Sequence, residues 1–225
     1  MRLQQDYDYF LIVLVIVTII LGIYIFSNRV PLLGIKNNKP LKYCLLLTTF
    51  IKNRESLYTT KVIRWLNETN LDIYLVDSSN QGLPLQHSRL HQFKFQQSDP
   101  FVDHNPSVYE INSILKAIDY FDFSHYDMII KVTGKYFIPK LEKALNYIPS
   151  DADIVLQNRT YFLTQNTELL VIKQSLIKEI LNKYTERTNF EKFMYKLNGY
   201  KFYRFHPFPL DSLVSRSDGS ILKHL

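Results

Sequence analysis

The sequence predicts an α/β domain built on a mixed, mostly parallel sheet and preceded by one N-terminal transmembrane helix. Three observations predict it. Residues 9–26, YFLIVLVIVTIILGIYIF, form an unbroken apolar run without a charge. From residue 42 onward, short apolar runs alternate with stretches of helical periodicity, as expected of strands covered by helices on both faces. Around residues 153–172, two strand-like runs are joined by a connection too short for a crossover helix, so part of the sheet is antiparallel.

After a short tail (1–8), the run 9–26 has the length and composition of a membrane span. A helix rises about 1.5 Å per residue and the hydrocarbon core is about 30 Å thick. Tyr7, Tyr9 and Phe10 at one end and Tyr24 and Phe26 at the other stand where interfacial rings lie. A cleaved signal would need a cationic start and a small-residue cleavage site, and Ser27-Asn28-Arg29 is a poor one. A core helix is disfavoured by the all-round apolar run. Residues 27–41, with Pro31, Gly34, Asn37, Asn38 and Pro40, read as a linker. Arg2 precedes the anchor, while Arg29, Lys36, Lys39 and Lys42 follow it, so the positive-inside rule places the head on the cytosolic side. The sequons at Asn67 and Asn158 would matter only in a lumenal head.

Residues 42–225 suffice for one domain with a full core. The net charge of +6 comes from scattered basic residues, which fits anionic lipid or an anionic small substrate and argues against nucleic acid. Cys44 is the only cysteine, so no intrachain disulfide forms, and its apolar surroundings suggest an inert thiol.

The elements follow in order. Residues 43–50 (YCLLLTTF) read as a strand, and 56–67 as a helix with Tyr58, Val62, Trp65 and Leu66 on one face. Residues 71–77 (LDIYLVD) form a second strand that ends in the turn Ser78-Ser79-Asn80-Gln81-Gly82, and 92–95 a third. Ser107 and Glu110 have capping-box spacing ahead of a helix with Val108, Ile111, Leu115 and Ile118 on one stripe. Residues 128–132 are a strand entering the turn Thr133-Gly134-Lys135. A helix over 140–147 and strands over 153–157 and 169–172 follow. Two helices carry Ile177, Ile180, Leu181 and Tyr184, then Phe190, Phe193, Met194 and Leu197. The second stops at Asn198-Gly199 before a strand over 200–205.

Open α/β sheets bind ligands beyond the carboxyl ends of their strands. Those ends present Thr48 and Thr49 with Arg54 just after, then Asp77 and Ser78, then Lys131, Thr133, Gly134 and Lys135. One carboxylate, several hydroxyls and several cations suit a ribose and a diphosphate. Each residue has a plainer reading beside this one. Asp77 can cap its own turn, the lysines can be surface lysines, and Glu191 can sit on a solvated helix face. His87 and His91 share a helical spacing without a third ligand, and Asp151-Ala-Asp153 precedes a strand instead of ending one.

In this order the motifs resemble those of GT-A nucleotide-sugar glycosyltransferases over roughly 42–209. LLLTTFIKNRESL (45–57) looks like the opening strand, loop and helix of that class, and IYLVDSSNQG (73–82) is similar to its second strand. FEKFMYKLNGYKFYRFHP (190–207) resembles its late acidic helix, turn and strand. The resemblance implies a three-layer GT-A-like sandwich, a base- or ribose-binding acid at Asp77 and a catalytic base at Glu191. It implies a nucleotide-sugar donor and a glycan or lipid-linked acceptor. The chain departs from the class where a metal-binding DxD is usual, having Lys131-Val-Thr-Gly-Lys135. No metal ligand is assigned and metal-independent transfer is expected, with lysines meeting the diphosphate charge and a divalent cation left open. The same departure keeps open a non-catalytic, membrane-tethered binding or scaffold domain of this fold.

The anchor is directly testable. Wild-type chain is expected to stay in the pellet after alkaline carbonate extraction of membranes. Charges at Val15 and Ile19 oppose insertion by about 2.5–3.5 kcal/mol each and should release it. Release of the wild type would overturn the membrane reading.

Overall fold

A computed structural model describes residues 14–18, 40–97, 106–157, 160–161, 164–165, 167–185, 187–205, 209–215 and 221–224. The chain divides into two compact units, Met1–Gly34 and Ile35–Leu225. Of the first, residues 14–18 are helical, with Leu14 to Val17 about half exposed and the Thr18 hydroxyl donating to the Leu14 carbonyl at 2.7 Å. The rest of the expected span at 9–26, and the linker up to residue 39, lie outside the described residues. Among the described residues, no helix is long and apolar enough to cross a membrane.

The second unit contains a seven-stranded sheet. Its elements are β1 (Tyr43–Thr49), α1 (Glu55–Glu68), β2 (Asp72–Asp77), β3 (Leu90–Lys94), α2 (Pro106–Tyr120) and β4 (Met128–Thr133). Then come α3 (Leu141–Leu145), β5 (Ile154–Gln157), β6 (Thr160–Tyr161), β7 (Thr164–Gln165) and β8 (Leu169–Lys173). The chain continues with α4 (Gln174–Asn182), α5 (Phe190–Lys196), β9 (Phe202–Phe205), β10 (Pro209–Ser215) and β11 (Ile221–His224). The strand order is β3-β2-β1-β4-β8-β5-β9, with β6-β7 and β10-β11 as separate ribbons. β3, β2, β1 and β4 run parallel, whereas β8 is antiparallel to both β4 and β5. The mixed sheet expected from the short connection is therefore present.

Alternation along β1 divides the core into two clusters. Leu45 and Leu47 point to the face covered by Tyr58, Val62 and Trp65 of α1 and by Leu141 and Leu145 of α3. Cys44 and Leu46 point to the opposite face, against Ile111 and Ile114 of α2, Ile177 and Ile180 of α4 and Phe190 and Met194 of α5. Helix, sheet and helix thus form three layers. Trp65, fully buried, donates its indole N–H to the Tyr136 carbonyl at 3.1 Å, which ties α1 to the segment after β4. Cys44 is buried in the sheet, and burial raises its thiol pKa, with the Asp72 carboxylate adding to the rise.

Several local readings change. β3 begins at Leu90 instead of residue 92, and α3 covers only 141–145, with Lys140 in the left-handed region at φ 63°. Helix α5 ends at Lys196. The Asn198-Gly199 pair lies in the turn beyond it, where Gly199 adopts φ 80°. The capping box does not form. Helix α2 already begins at Pro106, Ser107 Oγ accepts the Phe190 amide at 3.0 Å, and Glu110 turns towards the sheet. A Ser beside Phe190 and a Glu beside a buried lysine are tertiary pairings that outcompete the local one. The β10-β11 ribbon has no counterpart in the sequence reading.

Candidate functional site

A cavity of about 220 Å³ opens at the carboxyl ends of the parallel strands, which at about 10–15 Å³ per water position is room for an organic ligand of moderate size. β1 contributes Thr48, Thr49 and the following Phe50, β2 is extended by Ser78, and the chain beyond β3 supplies Gln97. Thr133 and Lys135 come from the end of β4, Arg54 and Tyr58 from the start of α1, and Tyr109, Glu110 and Ser113 from α2. The parallel arrangement of β3, β2, β1 and β4 puts these strand ends on one side of the sheet, as the sequence reading expected. Of the residues singled out there, Thr48, Arg54, Ser78, Thr133 and Lys135 line the cavity together. Asp77, Lys131 and Gly134 form the structure behind it, and Glu191 is a neighbour of Thr167.

Asp77 has a different task from the ribose contact expected of it. Its carboxylate is 0% exposed and accepts the amides of Ile51 (3.0 Å), Ser79 (3.2 Å), Gln81 (2.9 Å) and Gly82 (3.0 Å), together with the Ser79 hydroxyl (2.9 Å). The turn after β2 needs these acceptors because Asn80 and Gly82 take φ of 60° and 69°, which turns successive amides inward. The bond to Ile51 stitches that turn to the loop after β1, so Asp77 shapes the rim and leaves no oxygen for a ligand.

Lys131 is likewise committed. It is 1% exposed, its Nζ lies 2.5 Å from Glu110 Oε1, and it also donates to the Thr167 carbonyl at 2.8 Å. The same Glu110 oxygen accepts the hydroxyls of Thr48 at 3.4 Å and Thr133 at 3.3 Å. The ammonium is therefore part of the floor and does not reach into the cavity. A buried charge without a partner is costly, and Glu110 removes that cost. Glu110 itself is 24% exposed, so its carboxylate is shared between floor and cavity.

Gly134 sits against Thr48 and Thr49, with its amide donating to the Thr48 carbonyl at 2.8 Å. A Cβ there would lie 2.5 Å from Thr49 Cγ2 and 3.2 Å from the Thr48 oxygen. The glycine is thus required by close approach of the β4 turn to β1. Tyr58 is buried beside it, and burial raises its phenol pKa against the opposing pull of the Phe50 amide and the Arg54 guanidinium, keeping it neutral.

Glu191 occupies the first turn of α5, whose start is fixed by Asn189 accepting the Lys192 amide at 2.9 Å and by the Ser107–Phe190 bond. Its Oε1 accepts the Thr167 hydroxyl at 3.5 Å. Since the Thr167 carbonyl accepts from Lys131, Glu191 lies one residue away from the buried pair.

Among the described residues, the cavity lining offers a divalent cation a single carboxylate. That carboxylate is Glu110, and an ammonium already lies against it. Among the described residues, no three His, Cys, Asp or Glu side chains converge to hold a metal. Asp151 and Asp153 engage Lys201 at 3.2 and 3.0 Å, at the amino end of β5. His87 accepts the Arg89 amide, and His91 stacks on Tyr74.

Sequence reading missed Tyr58, Gln97, Tyr109, Glu110 and Ser113 as lining residues. The α2 residues left a usable signal: Tyr109, Glu110 and Ser113 make a polar strip beside the apolar stripe of Ile111, Ile114 and Ala117. Gln97 left none, since it follows β3 in a stretch without periodicity.

No family model matches the chain, and no curated protein matches it in sequence. Solved structures do. The chain is similar to the mannosyltransferase PcManGT from Pyrobaculum calidifontis in complex with GDP-Man and Mn2+, with a TM-score of 0.56 and 12% identity, covering 79% of this chain and 59% of that one. Looser overlaps include a cytidylyltransferase from Leptospira borgpetersenii (TM-score 0.48, 11% identity, 74% and 76% covered). Another is the glycosyltransferase GlyE of Streptococcus pneumoniae (TM-score 0.47, 11% identity, 73% and 46% covered). At such identities the likeness is one of fold, and only the first score is high enough to use. The chain has the GT-A-like fold of nucleotide-sugar glycosyltransferases. It spans about three fifths of the length of the mannosyltransferase, with 59% covered.

The buried pair yields a test that separates floor from ligand contact. Lys131→Met leaves Glu110 and two hydroxyls without their cation and should destabilise the fold by about 3–5 kcal/mol. Adding Glu110→Gln to that variant should recover a large part of the loss in urea unfolding, because the stranded charge is gone. Additive losses in the double variant would mean that the two side chains are not coupled.

Proposed function

We propose that this chain is a membrane-anchored glycosyltransferase that moves a sugar from a nucleotide-sugar donor to a glycan or lipid-linked acceptor. The observation that carries the reading is the cavity itself: in a GT-A-like sheet, beyond the carboxyl ends of the strands, cations from Arg54 and Lys135 meet a set of neutral polar groups. The cations suit a diphosphate and the neutral groups a nucleoside. In this reading residues 9–26 hold the head at a bilayer, on the cytosolic side by the flanking charges.

Glu191 is the proposed base. The acceptor hydroxyl gives its proton to the Glu191 carboxylate as its oxygen attacks the anomeric carbon. The bond from that carbon to the diphosphate oxygen breaks, and the nucleoside diphosphate leaves with the electron pair. Arg54 and Lys135 meet the charge that develops on the leaving group, which is the electrostatic task a cation otherwise performs. PcManGT is in complex with Mn2+, so chelation is the arm of the test that separates the two modes.

A second reading, a tethered binding or scaffold domain of the same fold, is favoured by one feature: Lys131-Val-Thr-Gly-Lys135 in place of a carboxylate pair at the end of β4.

A thermal-shift panel of nucleotide sugars on the full chain, with and without EDTA, decides between them. A donor at a hundred times its Kd should stabilise the fold by about 2.7 kcal/mol, and the shift should survive EDTA. With that donor and its acceptor, Glu191→Gln should retain donor affinity and lower turnover by about 10²–10⁴. Unchanged turnover removes Glu191 from the mechanism, and no shift with any donor favours the scaffold reading.

A further inference from the structure

The five Ser and Thr hydroxyls of the cavity lining share one hydrogen-bond polarity. The Thr49 hydroxyl donates to the Val76 carbonyl at 3.0 Å, the Ser78 hydroxyl to the Thr49 carbonyl at 3.2 Å, and the Ser113 hydroxyl to the Tyr109 carbonyl at 2.8 Å. Thr48 and Thr133 donate to Glu110. A hydroxyl has a single proton, so each of these oxygens offers a ligand only lone pairs. Gln97 adds an acceptor that is more exacting. It is 7% exposed, and its Oε1 is buried without a hydrogen-bond partner. Its backbone is held firmly, with the amide donating to the Ser78 carbonyl at 3.0 Å and the carbonyl accepting the Gln96 side-chain amide at 2.9 Å. A buried amide oxygen left unpaired is unfavourable where it lies, and because Gln97 lines the cavity, a turn of its side-chain amide towards a ligand that brings a donor would relieve it.

The cavity is also polarised along its length. It runs across the ends of β3, β2, β1 and β4, which at about 4.8 Å between neighbours separates Gln97 from Thr133 by roughly 14 Å, the reach of an extended nucleoside diphosphate. Among the lining residues, the charged ones, Arg54, Glu110 and Lys135, lie towards β1 and β4, while Ser78 and Gln97 at the other end are neutral. Phosphate oxygens, being acceptors, find no donor among the hydroxyls at the Gln97 end.

We infer that Gln97 is a specificity-determining residue that reads the base of the bound nucleotide, with its Oε1 accepting an N–H from the base edge and its Nε2 donating to the adjacent ring acceptor. The inference rests on the nucleotide-sugar reading and gives that donor a direction, with its base beyond β3 and its diphosphate towards Arg54 and Lys135. Uracil, cytosine, guanine and adenine each present an N–H beside an acceptor, so the base is left to the measurement.

The test compares wild type with Gln97→Met in the full chain, by calorimetric titration with UDP, CDP, GDP, ADP and inorganic pyrophosphate. Methionine keeps the volume and removes the amide. The nucleotide that wild type binds most tightly should bind the variant at least tenfold more weakly, with pyrophosphate affinity within twofold. The ligand-free melting temperature should be unchanged or higher, because an unpaired buried group has gone. Unchanged nucleotide affinity, an equal loss for pyrophosphate, or a lower ligand-free melting temperature would each overturn the assignment. Wild type that binds none of the nucleotides would sink the nucleotide-sugar reading itself, an outcome distinct from failure of the Gln97 variant alone.

Discussion

The floor of the site depends on a lysine ammonium buried in the middle of a mixed sheet. Lys131 stands on β4, 1% exposed, and only a carboxylate brought from another element makes that position tolerable. Glu110 supplies it from α2, and the contact has consequences beyond the pair. It sets the rotation of α2 over the sheet, draws the hydroxyls of Thr48 and Thr133 inward, and through Thr167 ties β4 to the chain leading into β8. Ser107, on the same helix, then fixes the start of α5. One ionic contact thus organises β1, β4, α2 and the approach to Glu191.

The rim is held by a different device of the same kind. Asp77 collects four backbone amides, joining the turn after β2 to the loop after β1. Gly134 lets the turn after β4 approach β1 more closely than any side chain would permit. Two residues that look like ligand contacts in the sequence are therefore what make the cavity a fixed shape. A site whose lining is positioned by buried hydrogen bonds is preorganised, which is what recognition of a polar ligand needs.

The electrostatics follow from the same commitments. With Lys131 neutralised by Glu110 in the floor, Arg54 and Lys135 supply the positive character of the lining, and both stand near β1 and β4. With the Ser and Thr hydroxyl protons donated to protein acceptors, these side chains present lone pairs, and the unpartnered Gln97 oxygen belongs to the neutral end.

The order of strands and helices was legible in the sequence, because alternation with period two and apolar stripes with period 3.6 are local properties. So was the edge of the sheet where the cavity lies, since parallel strands bring their carboxyl ends together. Thr48, Arg54, Ser78, Thr133 and Lys135 could be named from those ends alone. The partners of Asp77, Lys131 and Glu110 could not, because each is chosen by residues distant in the chain, and a carboxylate near a strand end looks the same whether it meets ribose or backbone amides. Glu110 had a plausible local partner in Ser107, and the tertiary structure replaced it with a buried ammonium of far greater need. Gln97 carries no pattern at all, and its isolation as an unpaired acceptor exists only once β3, β2 and α2 are packed. By itself the sequence determined the apolar N-terminal run, the mixed α/β order and the end of the sheet where the cavity opens. Only the tertiary structure decided which polar groups support that cavity and which line it, because burial and long-range pairing assign those roles.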